Sequence, residues 1–123
     1  MIRNVLYIAA GSAAGGVCRY LLSKWINEHF PALIPWGTFF VNITGCFLTG
    51  IFYALAARQQ PLSPSIVLFL TTGFCGGFTT FSAFAFENMQ LLKTGAGVYA
   101  FAYTAISLVT GIGAVFLGFQ IIK

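Results

Sequence analysis

Four long apolar runs, separated by short polar interruptions, account for almost the whole chain. The first runs from Ile2 to about Trp25, and Lys24, Asn27, Glu28, His29, Pro31 and Pro35 mark the loop after it. The second extends from about Trp36 to Ala57 and is closed by Arg58, Gln59, Gln60, Pro61, Ser63 and Pro64. The third spans Ile66 to about Leu92, followed by Lys93, Thr94, Gly95 and Gly97. The fourth covers about Val98 to Ile122, before Lys123. An α-helix needs about 20 apolar residues to cross the hydrocarbon core of a bilayer. The pattern therefore predicts an all-α membrane protein with one four-helix transmembrane domain, residues 1–123, and spans near 2–25, 36–57, 66–92 and 98–122. Trp25 and Trp36 bracket the first loop as interfacial anchors do. Pro64 is placed to open the third helix.

Two runs depart from uniform grease. Gly11 and Gly15 form a G-x-x-x-G pair in the first, which puts two small residues on one face and lets another backbone approach closely. The middle of the third reads Thr71-Thr72-Gly73-Phe74-Cys75-Gly76-Gly77-Phe78-Thr79-Thr80. Its glycines and threonines are poor helix formers. A break near residues 73–79 with half-helices on either side is the expectation. Irregular backbone at membrane depth is tolerated only inside protein or along a wet cavity.

Composition removes other classes. Of 123 residues, 59% are hydrophobic, and only 6 Lys+Arg and 2 Asp+Glu are present. A soluble domain of this size lacks too much polar surface to be covered this way. An ordinary soluble enzyme, a disordered chain and a nucleic-acid binder are excluded, and the net charge of +4 reflects scarce acids rather than a basic patch. The first run is long for a signal sequence and has no A-x-A cleavage pattern. Bulky Val17 before Cys18 argues against a lipidation site.

An even number of spans places both ends on one side. That side carries Arg3, Arg58 and Lys123, and the other carries Lys24, Lys93 and, near the end of the first helix, Arg19. So balanced a count gives almost no orientation signal. It fits either a weak bias settled during insertion or copies that insert both ways and pair antiparallel. The small size of four helices favours a pathway formed between subunits.

Little ordinary chemistry is available. Cys18, Cys46 and Cys75 fall inside spans without a C-x-x-C pattern and read as small apolar residues. His29 is the only histidine, and Glu28 and Glu87 have no evident reason to meet. Glu87 is the one titratable group expected in a span away from the break, which argues for passive conduction over a proton-driven pump. Asn42-Ile43-Thr44 matches a glycosylation sequon but lies within a span. What remains polar is neutral: Thr38 and Asn42 four residues apart, Thr79, Thr80 and Ser82 after the glycines, and Tyr103 and Ser107 four apart. Most such hydroxyls in membrane bundles simply bond between helices. The Asn42 amide offers two donors without a carboxylate, which suits an anion. Phe81 and Phe84 share a face, and an aromatic ring has a positive edge. Bare carbonyls at a glycine break suit a hard cation such as Na⁺.

Gly37-Thr38-Phe39-Phe40-Val41-Asn42-Ile43-Thr44-Gly45 and Gly73-Phe74-Cys75-Gly76-Gly77-Phe78-Thr79-Thr80-Phe81-Ser82-Ala83-Phe84 closely resemble the two signature stretches of the Fluc/CrcB fluoride channels. Gly16-Val17-Cys18-Arg19-Tyr20 resembles that family's first-helix Arg-Tyr signature. The resemblance covers essentially the whole chain. It implies an antiparallel dual-topology homodimer in the bacterial cytoplasmic (inner) membrane, with two fluoride pores and a structural Na⁺ at the dimer interface. The backbone carbonyls of Gly76 and Thr79 from both subunits would hold the Na⁺. Phe81 and Phe84 would be edge-on fluoride ligands, and Asn42 would donate to the ion. Thr38, Tyr103 and Ser107 would continue a polar track, with Ser82 as a further lining position. Arg19 would sit near an aqueous vestibule and draw anions in. Where the family's track often carries one more hydroxyl, this chain has Gly111.

The resulting expectation is a passive, fluoride-selective channel, not an enzyme, that lets the membrane potential expel fluoride trapped after HF has crossed the lipid. A small multidrug exporter would share the size and the dual topology. Its mechanism needs a carboxylate in the first helix, and none lies between Ile2 and Trp25. A non-transporting helix-bundle subunit is a second rival.

Overall fold

A computed structural model describes residues 1–58 and 62–122. The expected loop positions Gln59, Gln60 and Pro61, and the terminal Lys123, lie outside the described residues. The chain forms α1 (Ile2–His29), α2 (Trp36–Ala56), α3 (Pro64–Leu68), a π-helical segment (Phe69–Cys75), α4 (Gly76–Phe78), α5 (Phe81–Lys93) and α6 (Gly97–Ile122). Among the described residues there are no strands. Four helical stretches are long and apolar enough to cross a membrane, the third being the composite Pro64–Lys93. Their most apolar windows are only 11–22% buried within the chain. The apolar surface therefore faces outward, as a lipid-embedded or assembled bundle requires.

Helix ends follow local chemistry. α1 continues to His29, past the end of the first apolar run, because Lys24, Asn27, Glu28 and His29 are polar without being helix breakers. His29 stacks on Trp25 with ring centroids 4.4 Å apart. The loop is thus confined to the residues between His29 and Trp36. Asn27 Oδ1 accepts from the Gly37 N–H at 3.0 Å, tying the last turn of α1 to the first of α2. At α3, the Ser63 hydroxyl accepts from the Ile66 N–H at 3.3 Å and Pro64 occupies the first turn. An N-cap of this type supplies one of the orphan amides of a helix start with a partner.

The third span is interrupted, but at the end of the expected window rather than on its glycines. Gly73, Gly76 and Gly77 are all wound, the first in the π-helical segment and the others in α4. The extended residues are Thr79 (φ −85°, ψ 158°) and Thr80 (φ −149°, ψ 123°). Helix propensity is a weak prior that packing overrides. Gly73 and Gly77 serve close approach to α1. A Cβ on Gly73 would stand 3.0 Å from the Gly11 Cα, and one on Gly77 would stand 3.0 Å from the Ser12 Cα. Those on Gly11 and Gly15 would run into the backbone at Phe69 and Phe74. α1 and the third span therefore touch backbone to backbone, the use expected of the G-x-x-x-G pair. α2 and α6 repeat the device, since a Cβ on Gly50 would strike the Val115 carbonyl and one on Gly118 the Phe47 carbonyl.

Overpacking such a contact costs about 1–3 kcal/mol and often more where backbone must move. Gly15→Leu is expected to lower the thermal midpoint of the detergent-purified protein and to broaden its size-exclusion peak. Gly113→Ala, where an added Cβ meets nothing within 4 Å, is expected to match the parent. Equal midpoints for both variants would show that the close approach carries no stability.

Candidate functional site

Interrupting a helix at membrane depth frees backbone groups that water cannot satisfy. Asn42, one turn after Thr38 on α2, meets this need. Its Oδ1 accepts from the Thr80 N–H at 2.8 Å and its Nδ2 donates to the Thr80 carbonyl at 3.1 Å. One side chain thus replaces both ladder bonds at the extended residue. A second N–H on Nδ2 is left over from this pairing. On the preceding turn, the Cys75 carbonyl accepts from both the N–H and the hydroxyl of Thr79, each at 2.9 Å. α5 then restarts with Thr80 as its cap, the hydroxyl accepting from the Ala83 N–H at 3.1 Å.

Thr38 and Tyr103 converge on a group that sequence reasoning set aside. The Thr38 hydroxyl donates to Glu87 Oε2 at 2.7 Å, and the Tyr103 hydroxyl to Glu87 Oε1 at 3.1 Å. Tyr103 and Thr38 are buried. Glu87 was expected away from the broken centre, yet α5 begins at Phe81 and carries its carboxylate inward to the faces of α2 and α6. A usable signal was present. Glu87 follows Phe84 by three residues on the same helix, and an ionisable group inside a span is a functional candidate by default.

The remaining positions fall on one connected surface. Phe84 packs on Tyr103 with ring centroids 5.0 Å apart, and Phe81 lies 5.9 Å from Phe84. Phe84 is half-buried, whereas Phe81 is 78% exposed and presents its ring outward from the chain. A cavity of about 360 Å³ is bounded by Asn42, Thr79, Thr80, both phenylalanines and Ser107. The Ser107 Oγ is buried with no hydrogen-bond partner among the described residues. Gly111 lies on the same wall, and a Cβ there would be 3.6 Å from the Cys46 Sγ. The expected hydroxyl is therefore replaced by open space beside a thiol. A second cavity, of about 350 Å³, lies under the first loop and reaches Glu87, with Asn27 and Gln90 on its sides. Glu87, Thr38 and Tyr103 stand between it and the first cavity.

Ser82 is exposed and shares a 3.2 Å hydrogen bond with Thr80, outside the walls of the first cavity. Arg19 is half-buried and reaches the break: its Nε donates to the Gly77 carbonyl at 3.0 Å. Arg19, expected near a vestibule, is thus also bonded to the backbone of the third span. The Thr80 N–H is turned to Asn42, so the Gly76 carbonyl loses the partner an unbroken helix would give it. A Cβ on Gly76 would meet only the Thr71 carbonyl, at 3.8 Å, so the space beside it is open. No cluster of three His, Cys, Asp or Glu exists among the described residues. The donors at the break are backbone oxygens, which fit a hard monovalent cation.

Fold and site together define a four-helix integral membrane protein with a polar line through an otherwise apolar bundle. Residues 6–119 match the family model described as CrcB-like protein, Camphor Resistance (CrcB). The chain is 42% identical to the fluoride-specific ion channel FluC of Flavobacterium psychrophilum, over 99% of this chain and 98% of that protein. It is 47% identical to the FluC of Phocaeicola vulgatus over 95% and 96%, and 42% identical to one from Leptospira interrogans over 98% and 95%. The chain belongs to the CrcB family.

Asn42→Ala strips both partners from Thr80, and each buried backbone group left unpaired costs about 1–3 kcal/mol. The variant is expected to exchange its 78–81 amides faster than the parent in hydrogen-exchange mass spectrometry, while Thr44→Ala, at an exposed position, does not. Parental exchange in Asn42→Ala would remove Asn42 as the support of the break.

Proposed function

We propose that this chain forms a passive fluoride-specific channel in a bacterial cytoplasmic membrane, exporting fluoride to relieve its toxicity. The observation that carries the reading is the line of donors beside two phenylalanines at a supported helix break: Asn42 and Ser107 at the cavity, then Thr38 and Tyr103, whose hydroxyls are directed at Glu87. The relatives this chain matches over nearly their full lengths are fluoride-specific ion channels by name. No catalytic residues are invoked, and the protein is not an enzyme.

The working unit is an antiparallel homodimer of dual-topology subunits. Two features support it. The Lys and Arg count is nearly balanced between sides. A single chain also leaves Phe81 and much of its apolar surface outward. In this unit Phe81 and Phe84 offer ring edges to the ion, and Asn42 offers its spare N–H. The orphaned Ser107 hydroxyl carries the ion onward toward Thr38 and Tyr103, with Ser82 lining the approach. Arg19 adds a positive charge near the mouth. The Gly76 and Thr79 carbonyls of both subunits would hold a structural Na⁺, whose charge would offset the dipoles of those carbonyls. Selectivity arises from fixed donors that replace a tightly held hydration shell along a narrow path. The first helix offers no acid for the exchange cycle of a small multidrug exporter.

Liposomes loaded with fluoride and given a potassium conductance test this directly. The parent is expected to release fluoride but not chloride, read by ion-selective electrodes. Asn42→Asp places a negative charge where the spare donor stands, and Phe81→Ile removes a ring edge. Both are expected to abolish fluoride release while the protein still elutes as a dimer. Release at the parental rate in either variant would overturn the site assignment, and absence of release in the parent would overturn the channel reading.

A further inference from the structure

The helix break frees the carbonyls of residues 76–79, and the first two meet different fates. Gly76 O is released because the Thr80 N–H turns to Asn42. Gly77 O is released because α4 ends at Phe78 and the chain is extended at Thr79 and Thr80. Arg19 Nε takes Gly77 O at 3.0 Å, across 58 residues of sequence. The guanidinium thereby sits at the C-terminal end of the helical run from Pro64 to Phe78, where the macrodipole is negative. The two acids of the chain stand elsewhere, Glu28 on α1 beyond Arg19 and Glu87 bonded to Thr38 and Tyr103.

Sequence spacing explains how Arg19 reaches this point. Gly11, Gly15 and Arg19 recur every four residues and so lie along one stripe of α1. The two glycines bring the backbone of α1 against Phe69–Phe74, and the next turn delivers Arg19 to Gly77.

We propose that Arg19 is a positioning residue of the conduction site. It caps the first half of the broken helix through Nε and holds Gly77 O, fixing the end of the helix beside the Gly76 carbonyl that Asn42 has freed. Its charge is a secondary contribution to anion entry, since a surface field is screened within about 10 Å at 0.1 M salt.

The side-chain chemistry allows the two roles to be separated. Glutamine carries an amide nitrogen at the same distance along the side chain as Arg Nε, so Arg19→Gln keeps the bond to Gly77 O and loses the charge. Lysine carries a methylene at that position and a hydrated ammonium one bond further out, so Arg19→Lys keeps the charge and misplaces the donor. Arg19→Met loses both. The three variants are compared in full-length protein by fluoride release from liposomes and by hydrogen exchange of the 76–82 segment in detergent. A misplaced or missing cap leaves a part-buried carbonyl unpaired, so Arg19→Lys and Arg19→Met are expected to fall about tenfold or more in release and to exchange faster. Arg19→Gln is expected to keep at least about a third of parental release with parental exchange, the loss reflecting only the screened charge. Near-parental release in Arg19→Lys with loss in Arg19→Gln would assign Arg19 to electrostatic attraction instead. Any ranking in which Arg19→Gln exchanges as fast as Arg19→Met also overturns the proposal. The release measurement rests on the channel reading; the exchange measurement does not, so a parent that fails to conduct leaves the capping role decided by exchange alone.

Discussion

A transmembrane helix can be interrupted only where the freed amides and carbonyls find new partners inside the protein. This constraint organises the molecule. Thr79 and Thr80 are extended within the third span, and every nearby polar device answers them. Asn42 pairs with both backbone groups of Thr80, Cys75 O accepts twice from Thr79, the Thr80 hydroxyl restarts α5, and Arg19 holds Gly77 O. The partners come from α1 and α2 as well as from the third span itself, so the break exists only as a tertiary structure. Gly76 O is among the carbonyls these partners leave over.

Close packing is what brings those partners within reach. Gly11 and Gly15 on α1 face Gly73 and its neighbours on the third span, and Gly50 and Gly118 draw α2 to α6. Without a hydrophobic drive between helices in lipid, contact of this kind supplies much of the association. It also sets register. With α1 at contact distance, Arg19 lands on the last turn before the break. With α2 against α6, Thr38 faces Tyr103 across the Glu87 carboxylate, which accepts from both.

The four spans were legible because span length and apolar content are local properties. The G-x-x-x-G contact was legible for the same reason, since two small residues on one face have few other uses. The exact position of the break was not. Gly73, Gly76 and Gly77 have low helix propensity, but Gly73 and Gly77 lie backbone to backbone against α1, and that packing keeps the segment wound. The chain opens instead at Thr79 and Thr80, where Asn42 is waiting. The partners of Glu87 were missed on similar grounds. It stands away from the break, but α5 brings it against Thr38 and Tyr103, and a contact across 49 residues leaves no local trace. The bond from Arg19 to the break was not legible because its partner is a carbonyl, and carbonyls are silent in a sequence.

The hydrogen bonds to Glu87 bear on how a polar line can serve an anion. Thr38 and Tyr103 each have one hydroxyl proton, and both protons are directed at the carboxylate. An anion arriving beside them must compete with Glu87 for those donors. A large, weakly basic anion such as chloride competes poorly with a carboxylate. A small anion of comparable basicity competes well, because charge-assisted hydrogen bonds strengthen as the acceptor becomes harder. Asn42 and Ser107 differ in kind, since the first keeps an N–H beyond its two bonds and the second has no partner among the described residues. Donors that are free stand at the break, and donors that must be won stand beyond it. On the channel reading, that order places easy binding first and discrimination second, and an ion that passes both must be one for which hydroxyl protons are worth taking from a carboxylate.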